Sequence, residues 1–319
     1  MNAFRDRPLD GVIPATLLAL HDDFSIDEAA SRKHLRDVAD VEGLSAVTVN
    51  GHASEVHACD FDEQRRILEF SLEEIGDRQP LINGVYADGS HAAARIARMA
   101  ETAGASALLV FPPNSMSMGG QLRPEMALSH FKTIAEATDL PLIVFQYPMA
   151  GGLGYPFETL LRLLEEVPSI KAIKDWSNDA MLHERQIRTL QSLPRPITVL
   201  TTHSAWLMAS LCMGANGLLS GAGSVIPDLQ VALFRAVKAG DLPAAQAIND
   251  RIYPLAQAFY TPPFLDMHNR MKECLVLLGR LDRAVVRPPL MKLGAGEIAG
   301  LRRALAAAEL LPAGAVAAE

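Results

Sequence analysis

The chain has 319 residues, of which 49% are hydrophobic and 21% charged. It is therefore long enough to bury a sizeable core, and its composition excludes a disordered or fibrous protein. A formal net charge of −8 disfavours nucleic acid or a membrane surface as the main partner. Three widely spaced cysteines and no apolar run of about 18 residues predict a soluble protein without disulfides, in a reducing, cytoplasmic setting.

Short apolar, β-rich runs alternate with amphipathic helical stretches along most of the chain. The runs lie near residues 11–16, 44–49, 81–85, 106–111, 141–145, 170–174, 196–200 and 216–220. Between them, Asp60 or Asp62 is a candidate N-cap of the second helix and Asp88 of the third.

Eight strand–helix units in series predict a parallel sheet that closes into a (β/α)8 TIM barrel over residues 1–240. A doubly wound open sheet is the alternative. It normally carries a glycine-rich first turn, which Gly11-Val12-Ile13-Pro14 is not.

The pattern changes from about residue 241, where the strand signals end. Helical periodicity over 242–260, 264–279 and 296–310 predicts a C-terminal helical extension packed on the barrel, residues 241–319, instead of a second independent domain. We expect the alanine-rich end, residues 312–319, to be frayed.

Lys174 is the most informative residue at the end of a predicted strand, where the active sites of such barrels lie. The two-residue period of a strand puts Ile170 and Lys174 on one face. If that face is the barrel interior, desolvation favours the neutral amine, which can attack a carbonyl and form a Schiff base. The alternative is that Lys174 pairs with Asp175 or another acid at the strand end.

The residues around Lys174 resemble those of the dihydrodipicolinate synthase / N-acetylneuraminate lyase family of class I aldolases. Segment 172–179 is similar to the Schiff-base strand of that family, and 214–220 is similar to the segment that enters its last strand. Residues 51–55 occupy the place of its Gly-Thr-Thr-Gly-Glu loop. The resemblance covers about residues 9–240. It implies a commonly tetrameric (β/α)8 barrel in which Lys174 condenses with a 2-oxo acid such as pyruvate, with no cofactor.

Several positions depart from the family's pattern. Phe145 stands where the resemblance places the catalytic tyrosine, although a local register shift would make Tyr147 the proton shuttle. The two threonines become His52 and Ala53, and the arginine that often follows becomes Ala150. These changes argue against dihydrodipicolinate synthesis, whose second substrate is anionic, and leave iminium formation untouched.

His52 is the best candidate to replace the missing acid or base, because imidazole titrates near neutrality. A loop histidine hydrogen-bonded to backbone is the alternative. Glu55 is expected to orient this loop by accepting backbone N–H bonds. At His203 a substrate contact competes with simple helix capping by its neighbours Thr202 and Ser204. The expected substrate-binding residues are Gly51, Ala53, Ser54, Asn114, Phe145, Trp176, His203, Leu219 and Ser220.

The predicted function is a Schiff-base lyase, an aldolase or dehydratase, acting on a sugar-acid-like or aromatic 2-oxo acid. A paralogue that binds a 2-oxo acid without turnover is one alternative. A phosphate-sugar enzyme is another, in which Gly221–Ser224 after the last strand would hold phosphate. No His-Glu-x-x-His or other His–carboxylate pattern occurs in the sequence, so we predict no metal. We expect a homo-oligomer, a tetramer or a dimer.

Overall fold

The computed structural model describes residues 7–312 and contains one sheet of eight parallel strands. The strands are β1 Gly11–Pro14, β2 Val47–Val49, β3 Leu81–Val85, β4 Ala107–Val110, β5 Leu142–Gln146, β6 Ile170–Asp175, β7 Thr198–Thr201 and β8 Gly217–Ser220. Neighbours in the sheet are neighbours in the chain, and β1 pairs with β8. Parallel bridges from Val12 to Leu44 and from Ala15 to Thr48 close the ring on the other side of β1. The predicted TIM barrel is therefore confirmed, and the open sheet is excluded.

Eight helices follow the strands around the outside of the barrel. They are α1 Glu28–Ala39, α2 Phe61–Ile75, α3 Ser90–Ala103, α4 Pro124–Ala135, α5 Phe157–Glu166, α6 Ala180–Leu190, α7 Leu207–Cys212 and α8 Pro227–Lys238. Asp60 caps α2 in a reciprocal capping box with Glu63. The prediction for Asp88 was wrong: α3 begins after Gly89, and the Asp88 carboxylate instead accepts the backbone N–H of Asn114 at 2.5 Å.

The strands are buried on both faces, because side chains fill the barrel on one side and the helices cover the other. All four residues of β4 and the first three of β5 have no exposed surface. This burial explains why the strands are nearly continuous apolar runs. It also makes a charged side chain inside the barrel, such as that of Lys174, exceptional.

Three more helices follow the barrel, α9 Leu242–Phe259, α10 Met267–Leu277 and α11 Ala295–Ala307. Helix α9 packs against α8 and α11, and α10 lies next to the turn that follows β8. The extension therefore reaches the end of the barrel at which the strands terminate. Residues 313–319, part of the segment expected to fray, lie outside the described residues.

The sequence predicted no membrane-spanning segment and no disulfide bonds. No helix within residues 7–312 is long and apolar enough to cross a membrane. Cys59, Cys212 and Cys274 are free thiols.

Candidate active site

Lys174 is buried near the carboxyl end of β6, on the inner side of the barrel. It lies beside Phe145 of β5 and Leu200 of β7, and only 6% of its surface is exposed. Its Nζ stands 4.0 Å from the centre of the Phe145 ring. Because burial disfavours the ammonium form, the pKa of Lys174 is lowered to about 7. Near neutral pH, a large fraction of this amine is therefore uncharged and nucleophilic.

Within residues 7–312, no carboxylate forms an ion pair with Lys174. The neighbouring Asp175 points to the opposite side of β6, where its Oδ2 is hydrogen-bonded to Nδ1 of His183 at 2.7 Å. The alternative of a strand-end ion pair between Lys174 and Asp175 is therefore wrong. The strand alternation that turns Lys174 inward is what turns Asp175 outward.

Aromatic rings surround the buried amine at the mouth of the barrel. The ring centre of Phe145 lies 5.2 Å from that of Phe111 and 4.5 Å from that of Tyr147. His52 packs 4.8 Å from Phe111, and Trp176 lies 5.6 Å from Tyr147. This ring cluster accounts for the low polarity around Lys174.

His52 and Tyr147 form a hydrogen bond of 2.8 Å between Nε2 and the phenol oxygen. Burial, and then the charges of His268 and Lys174, hold the pKa of His52 well below 6.5. Burial likewise raises the pKa of Tyr147 well above 10. Both groups are therefore neutral near pH 7. A hydrogen-bonded pair of this kind can pass a proton between a reacting atom and the cavity.

The loop after β2 places the His52 ring over the mouth of the barrel. A single 3-10 turn spans His52–Ser54, and the flanking Gly51 is buried together with Ala53 and Ser54. The Ser54 hydroxyl donates to the carbonyl of Gly51 at 3.1 Å, which closes the turn on itself. The structure thus brings His52 to the mouth beside Phe145, while Gly51, Ala53 and Ser54 are buried in the turn that supports it.

Glu55 ends this turn in a left-handed conformation, with φ of 54°. Its carboxylate accepts a hydrogen bond from Nζ of Lys272 at 2.5 Å and another from the backbone N–H of Arg287 at 2.9 Å. Glu55 and Lys272 are 2% and 1% exposed, so this is a buried ion pair. Glu55 does accept a backbone N–H bond as predicted, but the donor belongs to the C-terminal extension. The extension therefore fixes the loop that carries His52.

A cavity of about 370 Å³ opens above the ring cluster. Lys174 lies one layer deeper, since its neighbour Phe145 is 5.7 Å from His52 and 6.4 Å from Trp176, both of which line the cavity. Among residues 7–312, the lining contains no arginine, lysine or carboxylate. Its residues are His52, His57, Tyr86, Trp176, Phe264, Leu265, Met267 and His268.

Six of these eight lining residues were not predicted as site residues from the sequence, and Tyr86 and His268 are the two of them that bear most on the chemistry. Tyr86 directly follows β3, so the strand-end rule that selected the other candidates would have found it. Its hydroxyl accepts a hydrogen bond of 2.6 Å from Nδ2 of Asn114, which places this predicted residue at the rim. His268 belongs to α10, and no feature of the sequence connects that helix with the strand ends.

The structure does not bring His203 to this cavity. It is 2% exposed and stacks on Trp206 at 4.3 Å. Its Nε2 accepts the backbone N–H of Asn178 at 3.1 Å, and its Nδ1 lies 3.2 Å from the hydroxyl of Thr201. This position on the outer side of the barrel argues against a contact with substrate.

Asp175, His183 and His203 are residue types that bind metals, and their ligand atoms lie within 4.8 Å of one another. Every one of these atoms, however, already has a hydrogen-bond partner in the chain. Ser177 and His183 engage Asp175, and the hydroxyl of Ser210 lies 2.7 Å from Nε2 of His183. The cluster is therefore a buried network that is satisfied without a metal.

The predicted residues of β8 face different sides of the strand. Ser220 points outward, where its hydroxyl lies 2.8 Å from that of Ser204 and accepts from Gln230 at 3.2 Å. Leu219 alternates with it and is completely buried. In the turn that follows, the hydroxyl of Ser224 donates to the carbonyl of Ala15 at 2.8 Å. Residues 221–224 are buried, which argues against a phosphate site there.

Comparison with known proteins agrees with this architecture. The model of the family described as "Dihydrodipicolinate synthetase family" matches residues 8–308. The 4-hydroxy-tetrahydrodipicolinate synthase of Acidovorax sp. (strain JS42) is 31% identical over 307 residues, which cover 95% of this chain and 98% of that protein. The enzyme of the same name from Kineococcus radiotolerans is 31% identical over 312 residues, 96% of each chain.

Solved structures have the same fold. A prophage protein of Escherichia coli K12 from the dihydrodipicolinic acid synthase family, solved in complex with pyruvate, superposes with a TM-score of 0.87. It is 22% identical, with 95% of this chain and 99% of that chain covered. The dihydrodipicolinate synthase of Thermotoga maritima gives a TM-score of 0.85 at 23% identity, over 96% of this chain and 100% of that one.

Proposed function

The chain belongs to the dihydrodipicolinate synthetase family, and from that premise we propose that it is a Schiff-base lyase that acts on a 2-oxo acid through Lys174. Members of this family are aldolase-type lyases. The observation that carries the proposal is the Lys174 amine, buried among aromatic rings without a carboxylate partner in residues 7–312, with a pKa lowered to about 7. A buried lysine of this kind costs stability, and nucleophilic catalysis is the use that explains it.

The proposed reaction begins when the neutral amine attacks the C2 carbonyl and water leaves to form an iminium ion. The iminium then withdraws the electron pair of a bond to C3, so that either a C3–C4 bond or a C3–H bond breaks. After C3–C4 cleavage, protonation of the enamine at C3 restores the iminium. After loss of the C3 proton, the enamine instead expels a C4 hydroxyl group, which takes up a proton and leaves as water. Hydrolysis of the iminium then releases the product and regenerates Lys174. The His52–Tyr147 pair, joined at 2.8 Å beside the Phe145 ring, is proposed as the proton carrier at C3.

The relatives of this chain are named 4-hydroxy-tetrahydrodipicolinate synthase, but we propose that this protein acts on a different substrate. In the described part of the chain, the cavity lining contains no arginine or lysine to neutralise an anionic second substrate, and Phe145 cannot transfer a proton. Aromatic and aliphatic lining residues support an aromatic or sugar-acid-like 2-oxo acid. Gly51, Ala53, Ser54, Phe145 and Trp176 are the proposed substrate contacts, and Asn114 acts at the rim through Tyr86.

Trapping of the iminium tests this function directly. The protein is incubated with a panel of 2-oxo acids that includes pyruvate, reduced with borohydride and digested, and adducts are located by peptide mass. An adduct on the peptide containing Lys174, together with product release, is the expected result. An adduct without turnover of any substrate would favour the non-catalytic paralogue, and the absence of any adduct would refute the Schiff base.

Iminium formation is expected to depend on pH in a way that an ordinary lysine does not produce. With a pKa of about 7, the neutral fraction of the amine rises from roughly a tenth at pH 6 to roughly nine tenths at pH 8. The initial rate of trapping should therefore rise through this interval and level off above it. A rate that keeps rising about tenfold per pH unit beyond pH 9 would contradict a desolvated amine.

His52→Ala and Tyr147→Phe are each expected to slow turnover by about 10²–10⁴-fold, because each removes one member of the proton-carrying pair. Both variants should still be trapped by borohydride with pyruvate, since Lys174 is intact. Tyr155→Phe is the matched control, because its buried hydroxyl has no hydrogen-bond partner among the described residues. Unchanged turnover in His52→Ala would remove His52 from the mechanism.

The predicted homo-oligomer, a tetramer or a dimer, remains a proposal that rests on family resemblance. The division into a barrel over residues 1–240 and an extension over 241–319 is likewise proposed. The extension is assigned to the same functional unit, because Lys272 and His268 reach the mouth of the barrel.

A further inference from the structure

His268 is a polar group of the cavity that comes from outside the barrel. It is the second residue of α10, and it stands against Gly221, the residue that follows β8. A Cβ at position 221 would lie 2.8 Å from Nε2 of His268, so glycine leaves the space that the imidazole occupies. The ring is therefore held at the carboxyl end of the strands, where the reacting atoms of the proposed substrate would lie.

His268 faces His52 across the cavity. The two ring centres are 6.4 Å apart, and the positive charge of Lys174 acts on both imidazoles. The two histidines differ in their bonding. His52 is already engaged by Tyr147, whereas no described residue forms a hydrogen bond with the ring of His268. The nitrogens of His268 are thus available to a ligand.

Apolar side chains adjoin His268 on the same segment. Phe264, Leu265 and Met267 line the cavity, and Phe264 and Leu265 are 44% and 62% exposed. The part of a substrate beyond the atom that His268 touches would meet these side chains, and no lysine, arginine or carboxylate from residues 7–312 lines the cavity there. An uncharged aldehyde with an apolar or aromatic body fits this arrangement.

Given the proposed Schiff-base function, we infer that His268 is the catalytic residue at the C4 oxygen and that the reaction is an aldol cleavage or addition involving an uncharged, apolar aldehyde. In cleavage, His268 takes the proton of the C4 hydroxyl, the C3–C4 bond breaks, and its electron pair moves through C3 to the iminium nitrogen. The aldehyde leaves. The His52–Tyr147 pair then protonates C3 of the enamine, and water releases pyruvate from Lys174. In the aldol addition reaction, the same steps run in the reverse order.

Burial keeps His268 in the form that this role needs. It lowers the pKa of His268 below its usual range, with the charge of Lys174 as the next cause, so the imidazole is neutral near pH 7. A neutral imidazole can accept the hydroxyl proton during cleavage. The two histidines therefore have separate roles in the proposal: His268 transfers the proton at the C4 oxygen, and His52 with Tyr147 transfers the proton at C3.

Two reactions distinguish the proposed role of His268 at C4 from that of the His52–Tyr147 pair at C3. Exchange of the C3 hydrogens of pyruvate with deuterated water, followed by NMR, requires Lys174 and the C3 proton carrier but no aldehyde. Addition of pyruvate to benzaldehyde requires the C4 oxygen group as well. His268→Ala is expected to keep borohydride trapping and deuterium exchange within about threefold of the unaltered protein, and to lose addition by about 10²–10⁴-fold.

Further variants distinguish chemistry from structure. His268→Gln keeps a hydrogen-bonding group without proton transfer, so KM for benzaldehyde should recover while kcat does not. Gly221→Ala should reproduce the loss by displacing the ring. His91→Ala, a surface histidine of α3, is the matched control and should behave as the unaltered protein.

The outcomes are distinguishable from failure of the proposed function. If pyruvate is not trapped on Lys174 in the unaltered protein, the proposed function itself fails. If trapping succeeds, addition within about fivefold of normal in His268→Ala would overturn the inference. Loss of exchange in parallel with addition would also overturn it. So would addition to anionic succinic semialdehyde in preference to benzaldehyde, or no addition to either aldehyde.

Discussion

Replacing Lys174 by alanine is expected to abolish the borohydride-trapped adduct and to lower turnover by at least about 10³-fold, because within residues 7–312 no other lysine lines the cavity, and the nearby Lys272 is held in its buried ion pair with Glu55. Peptide mass after reduction and the rate of pyruvate release measure the two effects. Lys171→Ala is the matched control. That lysine is on the same strand, exposed and three residues earlier, and its loss should leave trapping unchanged.

Lys174→Met tests whether burying the Lys174 amine lowers the free energy of unfolding. Folding lowers the pKa of Lys174 from 10.5 to about 7, so the folded state disfavours the charge that the unfolded chain carries. This penalty is fully present below pH 7 and disappears as the pH rises to 10.5. At pH 7 it amounts to several kcal/mol, on the order of 4. Methionine keeps the shape without the amine, so the free energy of unfolding should rise.

The contrary result would be informative. A lower free energy of unfolding for Lys174→Met, measured by denaturant titration at pH 7, would mean that the amine stabilises the native state. A structural role for Lys174 would then be the better explanation. The same titration at pH 10 serves as the internal control, since the gain from methionine should shrink there.

The second large effect is expected from the buried ion pair between Glu55 and Lys272. Lys272→Met leaves the carboxylate of Glu55 buried with the backbone N–H of Arg287 as its remaining partner. Removing one partner of such a pair costs about 3–5 kcal/mol of the free energy of unfolding. Denaturant unfolding measures the loss. Lys33→Met provides the comparison, because Lys33 and Asp37 form an exposed pair at 2.7 Å that should contribute about 0–1 kcal/mol.

The double variant Glu55→Gln/Lys272→Met isolates the pair from its individual residues. Because both charges are removed together, it should recover most of the stability that the single variant loses. Turnover should stay low in the single variant even where it is fully folded, since Glu55 connects the His52 loop to the extension. A double variant no more stable than Lys272→Met would show that the ion pair is not the source of the loss.

The sequence predicted the barrel well because its signals are local. Each of the eight apolar runs overlaps one strand, and the two-residue period put Lys174 on the opposite face from Asp175, as the structure has it. The prediction of Asp88 as a helix cap was wrong because it also used a local signal. A cap residue is chosen by local preference, but the nearby N–H of Asn114 from another loop competes for the same carboxylate.

Composition and residue period by themselves indicated an eight-stranded barrel and put Lys174 and Asp175 on opposite faces of their strand. Only tertiary structure decided what surrounds that lysine. His52 and Tyr147 are 95 residues apart in the chain and Glu55 and Lys272 are 217 apart, so their contacts depend on barrel closure and on the docking of α10. Burial follows from the same closure, and with it the low pKa of Lys174, since desolvation depends on all the neighbours that pack around the amine.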